Sequence, residues 1–326
     1  VKLAKYSFIV LAVFTAVNVS AQQQTKVGSA GAQFLKIGVG SRYQAMGEAA
    51  VAQANDIYAL YWNPAGLASL ENGAVSFTNV NWVADLDLNY VAIAKNFEDA
   101  GVFGVSAMVL SGADQEITTF EAQTGTGQMY STTSYAVGLT FARQLTAKFA
   151  FGATAKYVGE KIHLVRSSGI AFDFGTMLYT GFKTLRMGMS ITNMGPQLQF
   201  SGPTLTVPVG NVDASLKTTP YSLPLAFKVG LAYDIVLGSK AMASVSAELK
   251  HPDDNLQQGA VGTEIGFDDK FFLRAGYKIN YEEEALSLGG GLITKVTTDT
   301  KLAIDYSWQD FGRLESAQKF SIGFIF

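Results

Sequence analysis

The chain contains no cysteine. That absence excludes a disulfide framework, thiol catalysis, thiolate metal ligation and a lipid anchor carried on an N-terminal cysteine. Only two histidines occur, His163 and His251. Both fall near predicted strand ends with no serine or carboxylate constellation beside them, so enzymatic activity has little to stand on, and no cofactor or metal is expected. EF-hand and zinc spacings are missing, and Gly38-x-Gly40 lacks the preceding strand and third glycine of a dinucleotide site. A net charge of −3 provides no basic footprint for nucleic acid. No Pro-rich, Ser-rich or charge-run linker divides the chain, which reads as one domain after its leader. Charged residues make up only 16% of it, low for a soluble enzyme. Yet no segment beyond the N-terminus is long and apolar enough for a helical membrane span. A membrane protein without spanning helices must be a closed barrel.

What is present begins with a leader. Lys2 and Lys5 precede an apolar run from Phe8 to Val19, and Val19-Ser20-Ala21 supplies small residues for a signal peptidase. Residues 1–21 are therefore expected to be a signal peptide cleaved after Ala21, with export to the bacterial outer membrane. The run is too short to span a bilayer as a helix.

From residue 73 to 326 the sequence is a succession of period-two segments separated by Gly, Asn, Asp, Ser and Thr, the pattern of strands. Phe271, Leu273, Ala275, Tyr277 and Ile279 alternate with Phe272, Arg274, Gly276 and Lys278. The last segment sets Phe320, Ile322, Phe324 and Phe326 against Lys319, Ser321 and Gly323. It resembles the C-terminal assembly signal of bacterial outer-membrane proteins, with the aromatic face toward lipid. The second face of the strands carries charges of both signs together with glycine: Lys156, Asp173, Arg186, Lys228, Asp234, Glu248, Glu264, Arg274, Lys278 and Asp305. A solvated sheet face of a secreted sandwich also carries charge, but so many glycines there would weaken the strands without a packing return. In a barrel lumen the charges pair across strands, and the glycines make room for bulkier neighbours or a plug. The expected fold is all-β: a transmembrane antiparallel β-barrel of about 14 strands. The stretch from Gln115 to Ala122 alternates too weakly to count as one of them. Trp82, Tyr157, Tyr277, Trp308 and Phe326 are placed like interfacial girdles, and the segment from Pro203 to Pro224 reads as an extracellular loop.

Residues 22–72 are not strand-like. A short helix is expected over Gln44 to Asn55. The block Gly38-Val39-Gly40-Ser41-Arg42-Tyr43-Gln44-Ala45-Met46-Gly47-Glu48-Ala49 is followed by Asp56 and by Tyr61-Trp62-Asn63-Pro64-Ala65-Gly66-Leu67-Ala68. Pro64 fixes its own φ and pushes Asn63 out of the helical region, so this tetrapeptide reads as a rigid corner, equally consistent with purely structural duty.

Placed before the first strand, this block resembles the N-terminal signature of the PorV/PorQ family of Bacteroidetes outer-membrane proteins, itself related to the FadL-type long-chain fatty-acid transporters. The resemblance covers nearly the whole mature chain and includes Leu288-Gly289-Gly290-Gly291-Leu292 and Asp305-Tyr306-Ser307-Trp308. It implies an N-terminal hatch over residues 22–72, with Gly40, Arg42, Met46, Gly47, Glu48, Asp56, Trp62, Asn63, Pro64, Ala65 and Gly66 as its motif. Arg42, Glu48 and Asp56 would pair with lumenal charges. Glu48 departs from the commoner pattern, where relatives often carry Gly. Two functions follow from the resemblance. One is a non-enzymatic partner in type IX protein secretion or cell-surface attachment, binding secretion components or cargo C-terminal domains. The alternative is a FadL-like channel for a hydrophobic ligand. Outer-membrane lipid surrounds the barrel in either case.

Overall fold

Alternation at period two builds strands because successive side chains leave a sheet on opposite faces. The computed structural model describes residues 27–203, 206–209, 212–215 and 218–326; the expected signal peptide lies outside the described residues. Among these, fourteen strands close into one antiparallel barrel. They are β1 (Gly73–Trp82), β2 (Leu86–Asn96), β3 (Val102–Gly112), β4 (Thr132–Thr146), β5 (Phe149–Ile162), β6 (Val165–Tyr179) and β7 (Arg186–Met194). Then follow β8 (Ala226–Val236), β9 (Ala241–Pro252), β10 (Gln258–Phe267), β11 (Phe271–Ile279), β12 (Leu286–Lys295), β13 (Lys301–Asp310) and β14 (Ser316–Ile325). Each strand pairs with its neighbour in sequence, and β1 closes on β14 in a ladder from Ala74↔Ile325 to Asn81↔Gln318. Closure leaves no edge on which another chain could add. Gln115–Glu116 stays out of the wall, as its weak alternation predicts, and pairs with Met129–Tyr130 in a ribbon of its own.

The two longest connections, 113–131 and 195–225, lie at the same end of the barrel. That end faces outward, since barrels of this class carry long loops outside and short turns in the periplasm. A second ribbon, Thr206–Val209 against Val212–Ser215, sits within the second loop.

The outer wall is apolar. Phe77, Ile93, Phe103, Leu139, Leu249 and Leu273 are exposed there, as are Phe320 and Phe324 of β14, whereas Lys319 and Ser321 are buried inside. A continuous apolar surface of this kind belongs against hydrocarbon, where every backbone polar group must also be satisfied within the protein. Tyr157, Tyr277 and Phe326 are exposed on this wall. Trp82 corrects the girdle expectation: it packs edge-on against Phe311 at 4.9 Å and lies beneath the Lys319 ammonium, on the lumenal side.

Residues 27–72 thread the lumen from the loop end to the turn end. Ala30 bridges Ser222 of the long loop, and the Asn72 carbonyl accepts from the Asn96 N–H at the opposite end. Two short helices form within this segment, α1 (Ser41–Ala45) and α2 (Ala59–Trp62). The helix expected over Gln44 to Asn55 is thereby corrected. Gly47 and Glu48 take left-handed backbone at φ 65° and 66°, which ends a helix. Just beyond, the Ala50 and Val51 N–H groups donate to the Glu248 carboxylate of β9 at 2.9 and 2.8 Å. Asn63 is extended at φ −158°, as a residue before proline must be, and its side chain accepts from the Ala65 N–H to cap a 3-10 turn over Pro64–Ser69.

Candidate functional site

The lumenal face of the wall carries glycine where the N-terminal segment touches it. A Cβ on Gly276 of β11 would fall 2.0 Å from the Gly47 nitrogen, and one on Gly262 of β10 would fall 2.3 Å from the Met46 carbonyl oxygen. On Gly188 of β7 it would meet the Val51 oxygen at 2.1 Å, and on Gly175 of β6 the Asn63 Oδ1 at 2.0 Å. Pro64 packs in the same way against Gly152 of β5. No side chain fits on the wall at such separations, so the strand backbone meets the segment directly, its backbone at Gly47, Met46 and Val51 and the Asn63 side chain at Gly175. Within the segment Gly40, at φ 80°, lies under the Tyr58 ring, and Gly66 rests against the Ala54 carbonyl. Ala65 is buried, and the Trp62 indole N–H donates to the Val39 carbonyl at 2.9 Å. The motif residues are thus brought together as the part of the segment that seats against the wall.

Charge fixes the same contact. Arg42 reaches Glu264 at 2.8 Å and Asp56 at 3.0 Å. Glu264 also receives Arg274 at 2.5 Å, and Arg274 extends to Asp305 at 2.5 Å. A line of alternating sign therefore runs from the segment across β10, β11 and β13. Asp56 corrects its expectation: its ion-pair partner is Arg42 of its own segment, and it accepts the Tyr58 N–H at 2.9 Å to close the turn into α2. Glu48 meets Lys278 at 2.8 Å and Lys319 at 3.9 Å, and Lys278 pairs in addition with Glu284. Lys156 pairs with Asp173 at 2.8 Å, and Arg186 joins Asp234 at 2.5 Å while donating to the Ala52 carbonyl at 3.0 Å. Glu248 accepts the two backbone N–H groups already described. Lys228 lies over the rings of Tyr61 and Trp62, at 5.9 and 5.0 Å. All ten predicted lumenal charges face inward. Buried ions are tolerated only when paired and hydrogen-bonded, and here the pairing pins the segment in place.

Two chambers flank the segment. The outer one, about 430 Å³, lies beneath the loops and is lined by Phe34, Trp82, Leu110 and Phe311 together with Lys250, Lys278, Glu48, Glu282, Glu283 and Glu284. The inner one, about 540 Å³, opens at the turn end and is lined by Arg42, Asp56, Leu70, Phe272, Lys301 and Asp305. Both volumes suit a small molecule. Tyr43, Met46 and Leu67 of the segment line neither chamber and are fully buried.

A model of the family described as "Uncharacterised protein family (UPF0164)" matches residues 8–324. The chain belongs to UPF0164. No curated protein matches its sequence. Among solved structures it is similar to the Pseudomonas putida toluene transporter TodX, with a TM-score of 0.61 and 13% identity over 88% of this chain and 98% of the other. The Ralstonia pickettii toluene transporter TbuX gives a TM-score of 0.56 at 15% identity, covering 88% and 97%. A Pseudomonas aeruginosa FadL homologue gives 0.54 at 11%, with coverage of 88% and 97%. At such identities the likeness is one of fold, that of bacterial outer-membrane barrels. This UPF0164 protein is accordingly an outer-membrane β-barrel of FadL-like architecture.

Several residues that shape the UPF0164 site escape the sequence reading. Lys250 shares the lumenal face of β9 with Glu248, two positions away, so strand parity alone could have found it. Glu284, Lys36 and Asp254 lie outside the strands, where no periodicity marks them. Lys36 pairs with Asp254 at 2.5 Å, and Gln33 donates to the same carboxylate at 3.0 Å, tying the start of the segment to the loop after β9.

Proposed function

We propose that this UPF0164 barrel is a non-enzymatic channel that admits hydrophobic small molecules through the outer membrane, with residues 27–72 as its plug. The observation that carries this reading is the pair of chambers at opposite ends of the barrel, Gln33, Phe34, Lys36, Ile37 and Glu48 of the segment lining one and Arg42, residues 55–58 and residues 69–72 lining the other. The outer chamber presents apolar side chains to a molecule arriving between the loops, and burying apolar surface there supplies the attraction. Onward passage requires the segment to shift. Its contact with the wall combines glycine-backed backbone and ion pairs with an apolar seam in which Tyr58 packs on Tyr90 and Leu60 on Gly104, and a shift has to release all three. The architecture shared with TodX and TbuX, both named as toluene transporters, supports the same reading. Service as a type IX secretion partner rests on the PorV/PorQ resemblance alone, and the channel reading takes its place. A strain lacking the protein should take up radiolabelled toluene and dodecanoate several-fold more slowly than the same strain carrying the wild-type gene. Equal uptake in the two strains would contradict the proposal.

A further inference from the structure

The lipid-facing wall is not evenly built. On β5, Ala153 and Ala155 point outward, and their ladder partners on both sides are large: Phe141 and Leu139 on β4, Phe174 and Phe172 on β6. Small residues between two rows of large ones leave a furrow along the strand. It widens across β4 and β3 into a groove of about 750 Å³, lined almost wholly by apolar side chains. Ile93, Val105, Leu139 and Phe172 are exposed along it. At its turn end the rings of Phe97, Phe103 and Phe141 follow one another, with centroids 5.8 and 5.1 Å apart. Behind the groove β2, β3, β4 and β5 stay paired, so it opens to lipid and not to the lumen.

Positive charge marks the same end. Lys95 lines the groove, its ammonium 5.7 Å from the centre of the Phe97 ring. Arg143 lies two positions beyond Phe141 on the same outward face, and a Cβ on Gly101, in the turn after Phe97, would come within 3.4 Å of the Arg143 Cβ. The two cations thus bracket that turn. Among the described residues neither side chain makes an ion pair or a hydrogen bond, and Glu98 and Asp99 of the turn pair with neither. Lys295 and Lys301, also at the turn end, stand opposite each other on the lumenal face, where Lys301 lines the inner chamber. We propose that the groove binds a phospholipid of the periplasmic leaflet, one acyl chain lying over Ala153 and Ala155 and the phosphate held between Lys95 and Arg143. Long cationic side chains at a membrane edge keep their stems on apolar surface and carry their charge to the head groups. A chain in the furrow also gains dispersion contact on three sides, where the rest of the wall offers one. The site lies outside the barrel and does not depend on the channel reading.

The test is native mass spectrometry of the purified full barrel in an uncharged detergent, offered dioleoyl phosphatidylglycerol or dioleoylglycerol, which has the same chains and no phosphate. Each cation near a membrane surface is worth about fivefold, so the wild type should retain the phospholipid about tenfold or more over dioleoylglycerol. The Lys95→Gln, Arg143→Gln double variant should lose that preference. The Lys161→Gln, Arg166→Gln double variant, which removes an opposed outward pair at the loop end, should keep it. Ala155→Phe fills the furrow from the lipid side and should retain neither lipid while still running as a heat-modifiable, folded band. Equal retention of the two lipids by the wild type would overturn the phosphate site, as would a preference undiminished without Lys95 and Arg143 or lost without Lys161 and Arg166. Retention unchanged by Ala155→Phe would overturn the groove. A dimer mass in place of bound lipid, abolished by Ala155→Phe, would give this face to a second copy of the chain and overturn the lipid.

Discussion

Gly276 and Gly47 meet where no side chain has room, and that contact shows what the glycines on the lumenal face do. Replacing Gly276 with valine puts a branched side chain into the Gly47 nitrogen, 2.0 Å from the position of its Cβ. Such overpacking costs about 1–3 kcal/mol, and on the plug reading proposed above the segment should yield before the wall. Gly276→Val is expected to leave a heat-modifiable barrel whose segment around residue 47 is cut far faster by protease. Gly238→Ala, with nothing within 4 Å, should match the wild type in both measurements. Glu264 gives the complementary case. It receives both Arg42 and Arg274, so Glu264→Gln leaves Arg42 with Asp56 and Arg274 with Asp305 as their remaining carboxylates and should destabilise the protein by about 1–3 kcal/mol in urea unfolding. At this scale the sequence shows which residues face the lumen, because parity fixes the face. It does not show who meets whom: Asp56 turned to Arg42 of its own segment rather than to the wall, since pairing there depends on how the chain folds across the lumen.

Among the elements, strands were the most legible. Fourteen periodic segments became fourteen strands, and the weakest candidate at Gln115 stayed outside the wall. The helix within residues 27–72 was legible only as present. Its place moved to Ser41–Ala45 because Glu48 adopts a left-handed backbone and Glu248, distant in sequence, captures the N–H groups that would have continued it. The turn Gln33–Lys36 is held by Asp254 in the loop after β9. Burial pushes that carboxyl up, but hydrogen bonds from Lys36 and Gln33 outweigh it and keep the pKa below the usual 3.8. A pKa lowered by folding contributes stability that is fully present above the unfolded value and is lost as pH falls through the folded one. Hydrogen exchange of residues 33–36, corrected for intrinsic rates, should therefore show constant protection from neutral pH down to about pH 4 and a loss below it. Asp254→Asn should show that loss already at neutral pH. Protection unchanged by either treatment would remove Asp254 as the anchor.

For the whole molecule, the apolar outer wall, the charged lumen and the closure of β1 on β14 follow from one alternation repeated fourteen times. Architecture was accordingly readable from residue types. Function was less so, because the chambers exist only where the plug fails to fill the barrel, and no sequence pattern marks a void. The family resemblance pointed first to secretion, whereas the channel proposed above rests on the chambers in the lumen. The central claim is that residues 27–72 are a plug whose displacement opens a path for hydrophobic molecules. The most direct measurement locks that plug. Ser41 and Ser321 hydroxyl oxygens lie 2.8 Å apart, and the chain has no other cysteine to interfere with a Ser41→Cys, Ser321→Cys pair. In proteoliposomes, dodecanoate flux through this variant should match the wild type under reducing conditions, fall to the protein-free rate on oxidation, and return on reduction. Flux that continues undiminished with the cross-link complete would contradict the account.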